Sequence, residues 1–331
     1  MFESGCVKLL SGDPSWRNFT TLEFHYETQS LPTWIGWYAH QLPAWFQHLS
    51  VAMMFFIELL LPLLIFLPRR ARVVSFFGFV SFQVLIMLTG NYCFFNLLTI
   101  ALCILLLDDA MIMDRMPSFI RKKFVQNASR VRASLVKRLM IAVVATVVIL
   151  IGSFQLVGMF AGRDVLPASF EGALGFIAPY RLMNSYGLFA VMTTKRMVIV
   201  VEGSDDEQTW LPYEFKWKPG DVRRAPAFVE PHQPRLDWQM WFAALGSYQN
   251  NPWFMNLMAR LLEGSPQVLA LLGKNPFPQA PPRYVRAILY EYHFTNSGTR
   301  DSTGAWWARE EKGLYCPVLS LRGKEDFSVY R

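Results

Sequence analysis

The sequence has little charge and little cysteine. Charged residues make up 17% of the 331 residues and hydrophobic residues 53%, whereas soluble domains carry about 25% charge, so a wholly soluble protein is disfavoured. Four cysteines without a CxxC pair exclude a disulfide scaffold and a zinc ribbon. The five histidines form no HExxH motif, and glycine-rich phosphate loops and GxSxG elbows are missing. We therefore predict no metal site, no cofactor and no complete catalytic constellation.

What the sequence has in excess is long apolar segments. Four of them contain at most one charge and approach the length of a membrane-spanning helix at a rise of about 1.5 Å per residue, namely residues 49–67, 73–90, 91–107 and 139–160. They are apolar on all sides, unlike the amphipathic helices of soluble folds. The cluster Thr89, Gly90, Asn91 separates the second from the third segment and predicts a tight hairpin.

The distribution of basic residues predicts the orientation of these spans. The loop after the first span and the loop at residues 108–138 together carry eleven Lys or Arg against three Asp, and this net charge of +8 exceeds the +7 of the whole chain. Since basic loops remain cytoplasmic, residues 1–48 and 161–331 are predicted to be exoplasmic. The basic pI therefore requires no nucleic acid, and membrane lipids are the expected partners of the basic loop.

Residues 161–331 have the pattern of a separate domain. β-branched and aromatic runs at residues 196–202, 210–218 and 283–295 predict strands, and residues 236–245 and 253–262 predict helices. We predict a polytopic α-helical membrane protein of about four spans, followed by an α+β exoplasmic domain with a small antiparallel sheet. Its parts are an exoplasmic or interfacial segment, a transmembrane region and the α+β domain, at residues 1–48, 49–160 and 161–331.

Three polar residues of the first three predicted spans are candidates for a site inside the membrane, namely Glu58, Gln83 and Asn96. Glu58 falls near the middle of the first span, where a carboxylate is costly unless it is paired. Pro62 deprives the Glu58 carbonyl of its helical donor, which predicts a locally bent helix with polar atoms exposed inward. We favour hydrogen bonding of Glu58 to Gln83 and Asn96 over a role in transport or proton relay.

The run PHQPRLDWQMWF predicts an extended entry into a helix with one aromatic stripe. Such a stripe favours a domain core, and the alternative is a surface that receives a client protein or lies on the bilayer. In that alternative, charged side chains would orient the client and tryptophans would contact it. The candidate client contacts are Arg235, Asp237, Trp238, Trp241, Trp306 and Trp307, with Phe242 and Leu245 on the same stripe as Trp238 and Trp241.

Much of the chain resembles the lipase maturation factor family. The resemblance is carried by residues 24–50, 55–62, 88–109, 213–245 and 304–310, and the run PHQPRLDWQMWFAAL is highly specific. It implies a polytopic membrane protein with a lumenal C-terminal domain, and animal members assist the folding of secreted lipases in the endoplasmic reticulum. It therefore implies a maturation or folding factor, a chaperone whose client is a secreted protein such as a lipase. The implied location is the endoplasmic reticulum membrane or, for a bacterial-type member, the bacterial inner membrane. Since family members have further membrane helices upstream, it also implies a piece before Met1.

The short run GCVKL at residues 5–9 is similar to a motif of the vitamin K-dependent carboxylase group, in which a lysine serves as base. This similarity implies an alternative function, a membrane enzyme with Lys8 as base and Glu58 in the same cavity. A lysine at a membrane boundary is more often an anchor, so the residues favour a protein that is not an enzyme. A small transporter centred on Glu58 is a third hypothesis, and the lack of an inverted repeat disfavours it.

Overall fold

The computed structural model describes residues 1–109, 111, 113, 117–119, 134–162, 168–180, 187–322 and 326–329. Most of the predicted loop 108–138 lies outside the described residues. The chain divides into two compact units, each assembled from three segments: residues 1–18, 51–80 and 101–192 form the first, and residues 19–50, 81–100 and 193–331 the second. The predicted three-part division at residues 48 and 160 remains a prediction.

The helices differ widely in length. Those before the basic loop are α1 Phe2–Leu10, α2 Pro14–Arg17, α3 Thr21–Thr28, α4 Trp34–His40, α5 Ala44–Phe55, α6 Leu61–Leu64, α7 Arg69–Thr89 and α8 Phe95–Cys103. A π-helical turn, Phe56–Leu60, joins α5 to α6, and the 3-10 turn Ile104–Leu106 extends α8. The later helices are α9 Leu135–Ala161, α10 Ala168–Ile177, α11 Arg235–Ala244, α12 Pro252–Leu262, α13 Pro266–Leu269 and α14 Ser297–Thr303, with 3-10 turns at Ala178–Tyr180 and Tyr248–Asn250.

Three helical stretches are long and apolar enough to cross a membrane. They are Ala44–Leu64, Arg69–Thr89 and Leu135–Ala161, and they correspond to the predicted first, second and fourth spans. The predicted third span contains the shorter apolar helix Phe95–Leu106. At a rise of about 1.5 Å per residue this helix is about 18 Å long, less than the roughly 30 Å of a bilayer core, so a fourth span remains a prediction.

The helix around Glu58 departs from α-helix geometry, and the bend predicted there remains a prediction. Residues Phe56–Leu60 form a π-helical turn in which the Leu61 N–H donates to the carbonyl of Phe56, five residues earlier. Because Pro62 has no N–H to offer the Glu58 carbonyl, the regular i to i+4 ladder cannot continue through this point. The wider turn places Glu58 on the buried side of the helix.

The second unit contains a five-stranded antiparallel sheet of strand order β2-β1-β5-β6-β7. The strands are β1 Arg196–Ser204, β2 Leu211–Pro212, β3 Glu214–Phe215, β4 Leu272–Lys274, β5 Tyr284–Phe294, β6 Trp307–Arg322 and β7 Asp326–Val329, and β3 pairs with β4 in a second small sheet. The predicted small antiparallel sheet is confirmed, with β1 and β5 in the predicted strand segments. The predicted strand 210–218 is divided between β2 and β3.

Strand β6 was not predicted, although it is the longest of the described strands. Its sequence contains the charged run 309–312 together with Gly313 and Pro317, and such residues disfavour a strand assignment. The structure accommodates both special residues at irregularities, because the register with β5 shifts beside Gly313 and again between the pairs that flank Pro317. Gly313 has a φ of +119° there, which L side chains rarely adopt.

The core of the second unit lies between the main sheet and helices α11 and α12. Helix α12 buries Phe254, Leu257, Met258 and Leu261, which lie one helical turn apart on a single face. Met240 of α11 belongs to the same cluster, in which the sheet residues are Ile199, Val201, Val285, Ala287 and Leu319. This packing holds α11 against the sheet and leaves its other face free to form the candidate site.

Candidate functional site

In the first unit, a buried ion pair joins α1 to the π-helical turn. Lys8 Nζ lies 2.7 Å from both Oε1 and Oε2 of Glu58, and the Ser4 hydroxyl donates to Oε1 at 3.0 Å. Lys8 and Glu58 are 5% and 4% exposed. A Cβ on Gly5 would come within 2.7 Å of the Leu59 side chain, so glycine permits the close approach of α1. The structure thus brings together two residues that lie 50 positions apart and that only the carboxylase-related alternative placed in one cavity.

This pair neutralises a carboxylate in an apolar helix. Each charge compensates the other, and Ser4 satisfies a further lone pair, as a buried ion pair requires. The geometry fits an anchor between two helices and also allows a proton to pass between the two side chains. The predicted bonds from Glu58 to Gln83 and Asn96 remain predictions, and the Asn96 amide donates to the Gln83 carbonyl at 3.4 Å.

In the second unit, one asparagine connects the turn between α7 and α8 with two distant segments. The Asn91 Nδ2 donates to the carbonyls of Leu31 and Ala227 at 3.0 and 2.9 Å. Its Oδ1 accepts the N–H groups of Val229 at 2.7 Å and Glu230 at 3.2 Å. Asn91 is 2% exposed, so these four main-chain groups depend on it rather than on water. The predicted break at residues 89–91 is a turn that also organises its surroundings.

Next to this turn lies an incompletely solvated carboxyl group. Oε1 of Glu230 accepts the Tyr92 N–H at 2.5 Å, whereas its Oε2 is buried and has no hydrogen-bond partner among the described residues. Desolvation raises the pKa of Glu230 to about 7, although the bond from Tyr92 acts in the opposite direction. Below this pH the neutral carboxyl has a proton to donate. No sequence motif indicated this group, because its neighbours come from a segment 138 residues away.

A buried arginine ties β1 to the end of α3. Arg196 is 2% exposed, and its guanidinium donates to the carbonyls of Glu27 at 2.8 Å, Ser30 at 3.0 Å and Gln29. These carbonyls lie at the C-terminal end of a helix, where a cation is favoured. The Glu27 carboxylate in turn accepts the Phe294 N–H at 2.8 Å. Within the described ranges, no group of three or more His, Cys, Asp or Glu could hold a metal ion.

Two of the candidate client contacts lie inside the second unit. Asp237 is 2% exposed, and its Oδ1 accepts the N–H groups of Trp217 and Lys218 at 2.9 and 2.8 Å. Trp307 is also 2% exposed and packs against Phe294, with 4.4 Å between ring centroids. Trp307 is buried because β6 turns this side chain into the core of the unit, and its role as a client contact remains a prediction. Both residues stabilise the fold in this state.

The remaining candidates are more accessible. Trp306 is half-buried, and the Arg300 guanidinium lies 4.5 Å from its ring centroid. Arg235 is exposed at the start of α11, and Trp241 is half-buried, with its Nε1 donating to the Thr28 carbonyl at 2.9 Å. These positions leave part of each side chain free for a partner.

The exposed face of α11 is apolar. Trp238 is half-buried, Phe242 is 54% exposed and Leu245, the residue that ends the helix, is 49% exposed. Their spacing of four and three residues places them on one stripe, which we call the α11 stripe. Trp238 also contacts the ring of Tyr92, with 6.4 Å between centroids. Helix α11 thus has two apolar faces. Met240 and its neighbours enter the core, whereas the α11 stripe faces outward.

Apolar helices of membrane-crossing length and an antiparallel-sheet domain with a buried polar framework define a membrane protein with a separate α+β domain. The lipase maturation factor transmembrane domain matches residues 1–114, and the lipase maturation factor C-terminal domain matches residues 182–317. The chain belongs to the lipase maturation factor family.

Individual relatives match along nearly the whole chain. Lipase maturation factor 2 of Gallus gallus is 35% identical over 97% of this chain, and lipase maturation factor 1 of Mus musculus is 35% identical over 100% of it. Lipase maturation factor 2 of Homo sapiens is 36% identical over 97%. The chain covers 58%, 59% and 58% of these relatives, respectively, so it spans a little over half of their length. No solved structure is significantly similar to it.

Proposed function

We propose that this chain is a membrane-anchored maturation factor that assists the folding of secreted client proteins such as lipases. The observation that carries the proposal is its membership of a family whose curated relatives are named lipase maturation factors. Those relatives give no support to the two alternatives, a carboxylase-related enzyme with Lys8 as base and a transporter centred on Glu58. The client is held and protected by apolar contact, without covalent chemistry.

The proposed topology has four spans, with both basic loops in the cytoplasm and the sheet domain in the periplasm or the lumen. Within the first unit, Asp108 Oδ2 lies 3.0 Å from Arg69 Nε. Arg69 begins the second span and Asp108 follows the third, so their proximity supports loops on the same side of the membrane. The host membrane is the bacterial inner membrane or the endoplasmic reticulum, according to the organism.

Cysteine accessibility tests this topology. Asp301 has a side chain that is 74% exposed, Arg70 is exposed, and the four native cysteines are buried, so background labelling is low. We expect a membrane-impermeant maleimide applied from the exoplasmic side to label Asp301→Cys. Arg70→Cys should react only after the membrane is permeabilised. In detergent both variants should react equally, and labelling of Asp301→Cys only after permeabilisation would contradict the proposed orientation.

The α11 stripe is the proposed client surface, with Arg235 at its edge. Phe242 and Leu245 expose about half of their large apolar side chains, and transient protein contacts form on such surfaces. Arg235 can orient a client by a charge-assisted hydrogen bond. Trp238 and Trp241 contribute their accessible edges on the same helix, and Asp237 holds the start of this helix from inside. Trp306 and Trp307 remain proposed contacts elsewhere in the unit.

We expect the double variant Phe242→Ser, Leu245→Ser to reduce the yield of active secreted lipase by about tenfold. Fully burying one large apolar side chain contributes about 1.5–3 kcal/mol. Because Phe242 and Leu245 are 54% and 49% exposed before binding, burying the rest of both contributes about 1.5–3 kcal/mol together, and its loss weakens client binding about tenfold or more. The measurement is lipase activity in the medium of cells that depend on this chain. The matched control is Leu271→Ser, Leu314→Ser, which removes two leucines that are 50% and 55% exposed elsewhere in the unit.

Both double variants should keep the melting temperature of the parent, since all four side chains are exposed. Equal losses of lipase activity in the two variants, or none in either, would show that the α11 stripe is not the client surface. A loss of lipase activity in Phe242→Ser, Leu245→Ser alone supports the α11 stripe as the client surface.

A further inference from the structure

A small cavity in the second unit is lined by two buried cations. Its walls include Arg196 and Lys218, together with Ser30, Met240 and Trp241. Lys218 is 6% exposed, and its Nζ donates to the carbonyls of Ile199 at 2.8 Å and Pro219 at 3.2 Å. The cavity therefore brings together a guanidinium and an ammonium that water hardly reaches.

Neither cation has a direct anionic partner. Among the described residues, Arg196 and Lys218 form no ion pair with a carboxylate, and Arg196 Nε is buried without a hydrogen-bond partner. The nearby carboxylates are used elsewhere: Asp237 accepts two main-chain N–H groups, and Glu27 accepts the Phe294 N–H. A buried charge is costly unless a counter-charge compensates it.

The cost of burying these charges lowers the pKa of both Arg196 and Lys218. Burial lowers the pKa of Lys218 to about 8. The charges of Glu214 and Asp237 raise this pKa in part, and those of Arg224 and Arg196 lower it. Burial also lowers the pKa of Arg196 to about 9. Neutral acceptors such as the Ile199 carbonyl satisfy N–H groups but do not cancel charge. A counter-ion in the shared cavity would stabilise both cations at once.

We propose that this cavity binds one monatomic anion of the halide class, with chloride as the physiological ligand, between Arg196 and Lys218. The volume of the cavity is about 10 Å³, which admits one small species and excludes phosphate, sulfate and lipid headgroups. The apolar walls formed by Met240 and Trp241 suit a weakly hydrated anion. This ligand goes beyond the proposed function, since client binding does not require it.

Bound chloride would connect three elements of the unit. Arg196 begins β1 and holds the end of α3, Lys218 lies in the loop after β3, and Trp241 belongs to α11. An anion that contacts both cations therefore stabilises the support of the α11 stripe. Because chloride binds only the folded state, it should raise the melting temperature in a saturable manner.

The test uses the full chain in detergent, prepared without halide. Sodium chloride is titrated against sodium gluconate at constant ionic strength, and we expect the melting temperature to rise by about 2–4 °C and then to saturate. The rise should disappear in Lys218→Met. It should persist in Lys216→Met, because Lys216 is exposed in the same loop and donates only to the Ala270 carbonyl.

A second measurement is independent of the folding of Lys218→Met. In crystals of the unaltered chain grown with bromide, the anomalous signal should show one peak between Arg196 and Lys218. Three results would overturn the proposal. They are the absence of that peak, a melting temperature in chloride equal to that in gluconate, and an undiminished rise in melting temperature in a folded Lys218→Met. The first two results would mean that the cavity holds water only, and none of the three would bear on client binding.

Discussion

Replacing Lys8 by methionine should lower the free energy of unfolding by about 3–5 kcal/mol, because it leaves the Glu58 carboxylate buried without its counter-charge. Both Oε atoms of Glu58 lie 2.7 Å from Lys8 Nζ, and both side chains are at most 5% exposed. The measurement is equilibrium unfolding in mixed micelles. Lys312→Met is the control, because Lys312 bonds Glu291 and Glu310 at a more accessible site, where an ion pair contributes at most about 1 kcal/mol.

The double variant Lys8→Met, Glu58→Leu should recover most of the lost stability. Apolar side chains of similar volume replace a buried ion pair at little cost, and sometimes with a gain. A double variant as unstable as Lys8→Met would show that the ion pair does not account for the effect.

The same double variant separates the anchor from the enzyme hypothesis. If the pair only holds α1 against the π-helical turn, the stable double variant retains its ability to support lipase secretion. If Lys8 is a base, the double variant is stable but inactive, as is a conservative Lys8→Arg variant. Full activity of the double variant would eliminate the carboxylase-related mechanism.

Replacing Asn91 by alanine should cost about 3 kcal/mol or more. The substitution leaves the Ala227 carbonyl and the N–H groups of Val229 and Glu230 without their partner, and each buried group left unpaired costs about 1–3 kcal/mol. The Leu31 carbonyl loses one of two donors and keeps the main-chain N–H of residue 91. We also expect faster proteolysis of residues 227–230, since their link to the turn is lost. Unfolding in micelles and limited proteolysis measure the two effects.

Asn96→Ala provides a matched control for this prediction. Asn96 is also buried but makes one long bond, 3.4 Å, to the Gln83 carbonyl, so its loss should cost less than about 1 kcal/mol. Equal destabilisation by the two substitutions would show that the network around Asn91 does not carry the expected energy.

Local sequence patterns were sufficient to predict some of the strands and helices. Strands β1 and β5 lie in segments of β-branched and aromatic residues, and α12 follows its hydrophobic period from Pro252. The π-helical turn follows from the missing N–H of Pro62, a property of a single residue. Such features depend on neighbours within about one turn, which the chain itself specifies.

Local sequence patterns could not predict strand β6 or the burial of Trp307. The charged run 309–312 and Pro317 argue against a strand, but pairing with β5 satisfies the main chain and bulges absorb the irregular residues. Trp307 looks accessible beside Trp306 in the sequence. It is buried because the strand alternates its side chains between two faces, and one face of this position is covered.

The amino-acid sequence by itself determined the apolar segments, the small antiparallel sheet, the helix that bears the α11 stripe and the family resemblance, since these depend on composition, period and contiguous runs. Only the tertiary structure decided that Lys8 pairs with Glu58, that Asn91 and Glu230 meet across 139 residues, and that Arg196 and Lys218 share a cavity. Polar partners distant in the chain leave no periodic signal. Their meeting is imposed by the need of each buried charge and main-chain group for a partner once the apolar surfaces have packed.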